Sequence, residues 1–139
     1  MKFEFLKDIA IADIALRAYG KTREELFENC ALALMSCMAD VGKIPAKEKK
    51  VVSVEGKTDK ELLYNFLEEL VYIKDVDGLL FGKFSVKFSN GSLDAQCSGA
   101  TIEQIGRKYM DKDVKAITMH MFEVKEENGK WVATVVVDI

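Results

Sequence analysis

A single acidic residue stands where a buried strand should carry none. The run Ile9–Tyr19, IAIADIALRAY, is apolar on both faces apart from Asp13 and Arg17, the pattern of a strand covered on both sides. A carboxylate drawn away from water has to be paired, hydrogen-bonded or bound to a metal, or its pKa shifts. The chain end repeats the anomaly. Val132, Val135, Val136 and Val137 make both faces of the last segment apolar, so it reads as a central strand, and Asp138 interrupts it one residue before Ile139. The fold therefore has to accommodate two misplaced carboxylates, Asp13 and Asp138, a whole chain apart.

The segments between them are easier to assign. Gly20 closes the first strand and Thr22 opens a helix, because Thr22 and Glu25 have the spacing of a capping box. Leu26, Phe27, Cys30, Ala31, Leu34 and Met38 then follow as one apolar stripe, with Glu24 and Glu28 expected on the opposite, wet side. Met35 and Met38 belong to the core. Gly42–Lys50 is a lysine-rich loop holding the only proline, and Val51–Val54 forms an outer strand that Gly56 ends. Thr58 and Glu61 repeat the capping spacing ahead of Leu62, Leu63, Phe66, Leu67, Leu70 and Val71, a second amphipathic helix. Asp75–Gly78 (DVDG) reads as a turn.

Two Asn-Gly pairs mark β-hairpins, Asn90-Gly91 and Asn128-Gly129, since tight hairpin turns of type I′ need positive φ at both positions. The first joins a strand through Phe84, Val86 and Phe88 to one through Leu93, Ala95 and Cys97. The second joins Val114–Lys125 to Trp131–Asp138, and a plain two-residue turn would set His120 opposite Val137 and Met119 opposite Asp138. Thr101–Asp113 is a polar connection with room for one helical turn. The architecture is α+β, a single domain over residues 1–139 with two helices packed on mostly antiparallel sheet.

Composition excludes several functions. The 139 residues carry a net charge of −3, so direct strong nucleic-acid binding is not expected of the chain as a whole. No apolar run approaches the roughly 20 residues of a membrane span, and a cytoplasmic location fits three cysteines without CxxC spacing. Cys30 and Cys37 lie about 10 Å apart along a helix, too far for a disulfide. No phosphate-binding glycine loop or HExxH motif is present. Cys97, His120 and either aspartate could form a nucleophile–base–orienter set in principle, but their spacing gives no support, and a half-buried, hydrogen-bonded role suits the lone His120. Nucleotide hydrolysis, zinc proteolysis and cysteine catalysis are therefore not expected. The carboxylates have two readings. Asp13 could pair with Arg17 or Lys115 while Asp138 merely ends a strand, or Asp13, Asp138 and the Ile139 carboxylate could converge on a hard cation, which takes oxygen ligands.

With these residues in view, the chain resembles the archease family. The matching pieces are ADIALRAYGKTREELFENCALAL at Ala12–Leu34, ELLYNFLEEL at Glu61–Leu70, VKAITMH at Val114–His120 and VVVDI at Val135–Ile139, in that order over nearly the whole chain. The resemblance implies a small α+β accessory protein, not itself an enzyme, that activates an RtcB-type RNA ligase in tRNA splicing, promoting guanylylation and turnover. An alternative is a chaperone-like binding module for a tRNA-modifying methyltransferase, with a purely structural ion. It also implies a divalent cation, Ca²⁺ with Mg²⁺ or Mn²⁺ as substitutes, on Asp13, Asp138 and Ile139, and it marks Lys115 and His120 as partner-contact residues. The chain departs from the family where Ala10 and Ile11 replace a common His-Thr, so no histidine role carries over there. Met119 stands where an aromatic residue is usual.

Overall fold

A computed structural model describes residues 1–6 and 13–139. Two antiparallel sheets enclose a helical layer. The first has four strands, in order β1 (Phe3–Leu6), β2 (Asp13–Gly20), β7 (Lys130–Asp138) and β6 (Ala116–Glu127). The second has three, in order β3 (Glu48–Glu55), β5 (Ser92–Thr101) and β4 (Leu79–Ser89). Helix α1 (Arg23–Met38) packs on β2 and β4, and α2 (Asp59–Asp77) packs on β6, β3 and β4. Both helices thus lie between the sheets, and the last strand is central, as its apolar faces require. The part of the expected first strand at Ile9–Ala12 lies outside the described residues.

Burial on two sides explains the composition of α1. Leu26, Phe27, Cys30, Ala31, Ala33, Leu34, Met35 and Met38 are all buried, and a helix apolar nearly all round belongs in an interior layer. The Thr22 hydroxyl accepts from the Glu25 N–H at 3.1 Å, and the Glu25 carboxylate accepts from the Lys21 N–H at 3.2 Å. Two polar residues face inward and find partners. Asn29 donates to the Tyr19 carbonyl at 2.7 Å, tying α1 to β2, and Glu28 accepts from the Val86 N–H at 2.9 Å. Glu28 therefore departs from the wet-side expectation, because the second sheet covers that side of α1. All three thiols are buried and free; burial pushes those of Cys37 and Cys97 up to about 12 and that of Cys30 higher still.

Helix α2 starts where expected, with the Thr58 hydroxyl accepting from the Glu61 N–H at 3.1 Å. It runs on through Asp75–Asp77, and only Gly78 turns, in the left-handed conformation that caps helix ends (φ 62°). The DVDG segment is thus the last turn of a helix rather than a loop. At Asn128-Gly129 both residues have positive φ, 54° and 77°, as a type I′ turn demands. Asn90-Gly91 also closes a hairpin, but only Gly91 is positive, so that turn is not type I′. Thr101–Asp113 contains one short helix, α3 (Ile102–Ile105), and a 3₁₀ turn at Arg107–Tyr109.

The C-terminal hairpin departs most from its expected register. Ala116 lies opposite Asp138, Ile117 opposite Val137 and Thr118 opposite Val136, and pairing resumes only at Glu123 opposite Thr134. Four residues, 119–122, therefore face Val135 alone. Met121 takes positive φ (57°) in this wide bulge, and Phe122 returns to the core against the Tyr64 ring, 5.7 Å away. The expected pairings of His120 with Val137 and Met119 with Asp138 are displaced by the bulge, which the regular alternation of the sequence does not announce.

Lys74 closes the end of the helical layer. Its buried ammonium donates to Asp113 Oδ1 at 2.6 Å and to the Val114 carbonyl at 2.7 Å, and pairs with Asp75 at 2.6 Å. Burial alone would push this ammonium down, but the hydrogen bonds and charges of Asp113 and Asp75 outweigh it and hold the group above the ordinary lysine value. A raised folded-state pKa favours the native state below the ordinary value and stops doing so as pH climbs through the folded one. Urea denaturation of Lys74→Met at neutral pH should show a loss of about 2 kcal/mol, and the difference from wild type should shrink only in the alkaline range above the ordinary lysine value.

Candidate functional site

Strand alternation sorts the first sheet into two faces. Ile14, Leu16 and Ala18 on β2, with Val137, Val135 and Ala133 on β7, point into the core. Asp13, Ala15 and Arg17 point the other way, beside Asp138, Val136 and Thr134. The two anomalous carboxylates meet here. Asp13 is the register partner of Asp138, and residues directly opposite in an antiparallel pair hold their Cβ atoms roughly 5 Å apart.

This corner of the sheet is fixed from several directions. Ala15 and Val136, the next row inward, are fully buried although they lie on the face turned away from the helices. On the far side of β7, the Lys115 N–H donates to the Asp138 carbonyl at 2.8 Å, extending the β6 ladder to the strand end. Lys115 follows the segment clamped by Lys74, so α2 indirectly sets the backbone beside Asp138. Ile139, which directly follows Asp138, packs its side chain on the core.

The charges at this corner are unbalanced. Among the described residues, neither Asp13 nor Asp138 has a lysine or arginine within ion-pair distance. Arg17, the counter-charge considered from sequence, donates instead to Thr134 Oγ1 at 3.3 Å, and Lys115 is exposed. Like charges directly opposite on neighbouring strands destabilise a sheet. A second group stands alone on the same face: Thr118 Oγ1, on the row adjoining Asp138, is buried without a hydrogen-bond partner among the described residues. An orphaned buried hydroxyl carries a cost of about 1–3 kcal/mol. The two half-buried carboxylates and this hydroxyl carry oxygen atoms, the donor type that hard cations take. Among the described residues, no three His, Cys, Asp or Glu side chains converge, so main-chain oxygens, the hydroxyl or water would have to complete such a shell.

The other candidate residues do not join this cluster. His120 is exposed at the bulge, flanked by exposed Met119 and Met121, which corrects the half-buried, hydrogen-bonded role expected for it. Cys97 is in the other sheet, buried, with its thiol pushed up by burial. The Cys97–His120–Asp arrangement is therefore not assembled. Thr118 is the residue sequence reasoning missed. The alternation of VKAITMH put it on one face with His120, and only the bulge separates them.

Comparison with known proteins agrees with this fold. Residues 3–139 match the model of the family described as "Archease protein family (MTH1598/TM1083)". The chain is similar to the protein archease of Pyrococcus abyssi, 41% identical over 134 residues covering 92% of this chain and 93% of that protein. It is also similar to that of Methanothermobacter thermautotrophicus, 37% identical over 139 residues covering 99% and 98%. The solution structure of Methanobacterium thermoautotrophicum protein 1598 superposes with a TM-score of 0.84 at 36% identity, over 99% of this chain and 98% of that one. The crystal structure of a Thermotoga maritima archease described as a possible chaperone has the same fold, with a TM-score of 0.68 at 20% identity over 98% of each chain. The chain belongs to the archease family.

Proposed function

We propose that this protein is a non-enzymatic accessory factor that activates an RtcB-type RNA ligase in tRNA splicing, acting through a divalent cation held at the Asp13–Asp138 corner. The observation that supports the reading most directly is the register pairing of the two aspartates without a basic partner among the described residues. A cation there would be held by the Asp13 and Asp138 carboxylates and a main-chain oxygen of Ile139, with the Thr118 hydroxyl available to one of its ligands; Ca²⁺ suits the site best, with Mg²⁺ or Mn²⁺ as substitutes. Such an ion supplies positive charge and open positions for oxygen ligands from a partner.

The chain's own residues do the rest. The β2–β7 ladder holds the carboxylates at a fixed separation, buried Ala15 and Val136 keep the floor rigid, and Lys115 tethers the Asp138 main chain. The exposed Met119–His120–Met121 bulge, on the same strand as Thr118, and the exposed Lys115 give a partner a shaped rim to read. In the ligase this corner would meet the metal- and nucleotide-binding centre and favour the arrangement in which guanylate is transferred. The description of the Thermotoga maritima relative as a possible chaperone favours a second reading, a binding module for a tRNA-modifying methyltransferase with a structural ion. The two separate in one assay: the first reading requires stimulation of guanylate transfer by wild-type protein and its loss in Asp13→Asn/Asp138→Asn, whereas the second requires an unchanged ligase and capture of the methyltransferase.

Calcium titration followed by thermal melting addresses the ion alone. At about 100 times its dissociation constant a ligand specific for the folded state adds about 2.7 kcal/mol, so the wild-type midpoint should climb with calcium and that of Asp13→Asn/Asp138→Asn should stay flat. Without calcium, in chelator, single Asp13→Asn should be more stable than wild type by about 0.5 kcal/mol, because it relieves a like-charge pair. A less stable Asp13→Asn under those conditions would argue against an uncompensated carboxylate pair.

Thr118→Val tests the hydroxyl. In chelator it should leave stability unchanged or raise it by up to about 1 kcal/mol, since an orphaned polar group is replaced by an isosteric apolar one. With calcium present, the same variant should need more ion to reach the wild-type midpoint. A large loss of stability in chelator would show that the hydroxyl already has a partner in the free protein.

A further inference from the structure

The outer face of the three-stranded sheet lies across the helical layer from Asp13 and Asp138, and it carries the opposite charge. Val52, Leu93, Ala95, Cys97 and Val86 point inward, and the alternate residues form four cross-strand rows. Lys49, Ser98 and Lys83 make the first, Val51, Gln96 and Ser85 the second, Ser53, Asp94 and Lys87 the third, and Glu55, Ser92 and Ser89 the fourth. Lys47 extends the first end, its N–H donating to the Gly99 carbonyl at 2.9 Å. Among the described residues, none of Lys47, Lys49, Lys83 and Lys87 has a carboxylate within ion-pair distance, whereas Arg23, Lys74, Arg107 and Lys125 are paired. Two carboxylates share the face with them: Asp94, which accepts from the Ser53 hydroxyl at 2.5 Å, and Glu55 in the fourth row, while Glu48 falls by alternation on the other face.

The layout selects the ligand. Lys49 and Lys83 flank β5 and so stand about 10 Å apart, and Lys83 and Lys87, four residues apart on one strand, are separated by about 13 Å. Lys49 and Lys83 have side chains long enough to reach one phosphate together, but a single phosphate cannot also engage Lys87. A nucleic-acid duplex presents a charge every ~1.7 Å of its axis and could engage all of them. Ser85, Gln96 and Ser98 supply hydroxyl and amide donors between the lysines, suited to phosphate oxygens. The face lacks the aromatic and long aliphatic anchors that insert into lipid, Val51 being its one exposed apolar side chain.

We propose that this face binds the phosphate backbone of a nucleic acid through Lys47, Lys49, Lys83 and Lys87. It does not depend on the reading of the aspartate corner. The net charge of −3 keeps the interaction weak and salt-sensitive, since carboxylates elsewhere repel the same polyanion.

Fluorescence anisotropy with a labelled RNA duplex of about 20 base pairs tests it. Near 50 mM salt the full chain should bind, and log affinity should fall against log salt with a slope of about −3, roughly 0.9 for each phosphate contacted. Lys49→Glu/Lys83→Glu/Lys87→Glu should lose at least about ten-fold in affinity and most of that slope, while Lys57→Glu/Lys60→Glu/Lys130→Glu, an equal change of net charge elsewhere, should lose less than about three-fold. Melting curves of both variants confirm that they are folded. Absence of binding by wild type, equal losses in the two variants, or capture of anionic vesicles or polyglutamate in place of RNA would overturn the proposal.

Discussion

Everything at the carboxylate corner depends on the antiparallel ladder between β2 and β7. These are the two central strands of the first sheet, drawn from opposite ends of the sequence, and side chains in a sheet have a period of two. A slip of one residue by either strand would exchange that strand's faces, driving Asp13 and Arg17, or else Asp138, into the core and Leu16, or else Val135 and Val137, out of it. The hydrophobic pattern therefore enforces the register, and the register places one aspartate opposite the other. The carboxylate pair follows from burying everything around it, at an electrostatic cost that the ladder must carry.

The helical layer gives that ladder its stiffness. An ordinary two-layer arrangement would leave α1 with one wet face, and its sequence would need more charge than it has. Here Glu28 and Asn29, the residues that break its apolar surface, each bind a main-chain group of a flanking strand. The helix is thereby pinned to both sheets by polar contacts as well as by packing. At the other end, Lys74 performs a similar service for the connection into β6. Its stem is buried and its head is shared between carboxylates and a carbonyl, so the segment leading to Lys115 and the Asp138 carbonyl has little freedom.

Much of this was legible in the sequence because it rests on local chemistry. Capping threonines, apolar stripes and Asn-Gly pairs each act within a few residues, and they identified both long helices and both hairpins. The meeting of Asp13 with Asp138 was legible for a different reason: two charges that violate a buried pattern have few places to go. What stayed hidden is what local pattern does not encode. The bulge at residues 119–122 adds residues to one strand without disturbing its alternation on paper, so His120 was placed in the sheet and Thr118 was not singled out. The DVDG segment carries turn chemistry, yet the helix runs through it because Ile73 and Lys74 remain buried against their neighbours. The sandwiching of α1 was also missed, since a stripe reading assigns one buried side and says nothing of a second sheet.

Net charge hid a further feature. A value of −3 describes the surface only if charges are mixed, and in this fold topology separates them. The lysines of β3 and β4 converge because those strands flank β5 in one sheet, although more than thirty residues divide Lys49 from Lys83. The carboxylates of β2 and β7 converge in the other sheet by the same logic. Since the helices fill the space between, neither set can neutralise the other at short range, and screening at physiological salt, with a Debye length of about 8 Å, weakens their attraction across a layer of that thickness. The protein therefore presents two chemically distinct outer faces, one carrying the paired carboxylates of β2 and β7 and one carrying the lysines of β3 and β4.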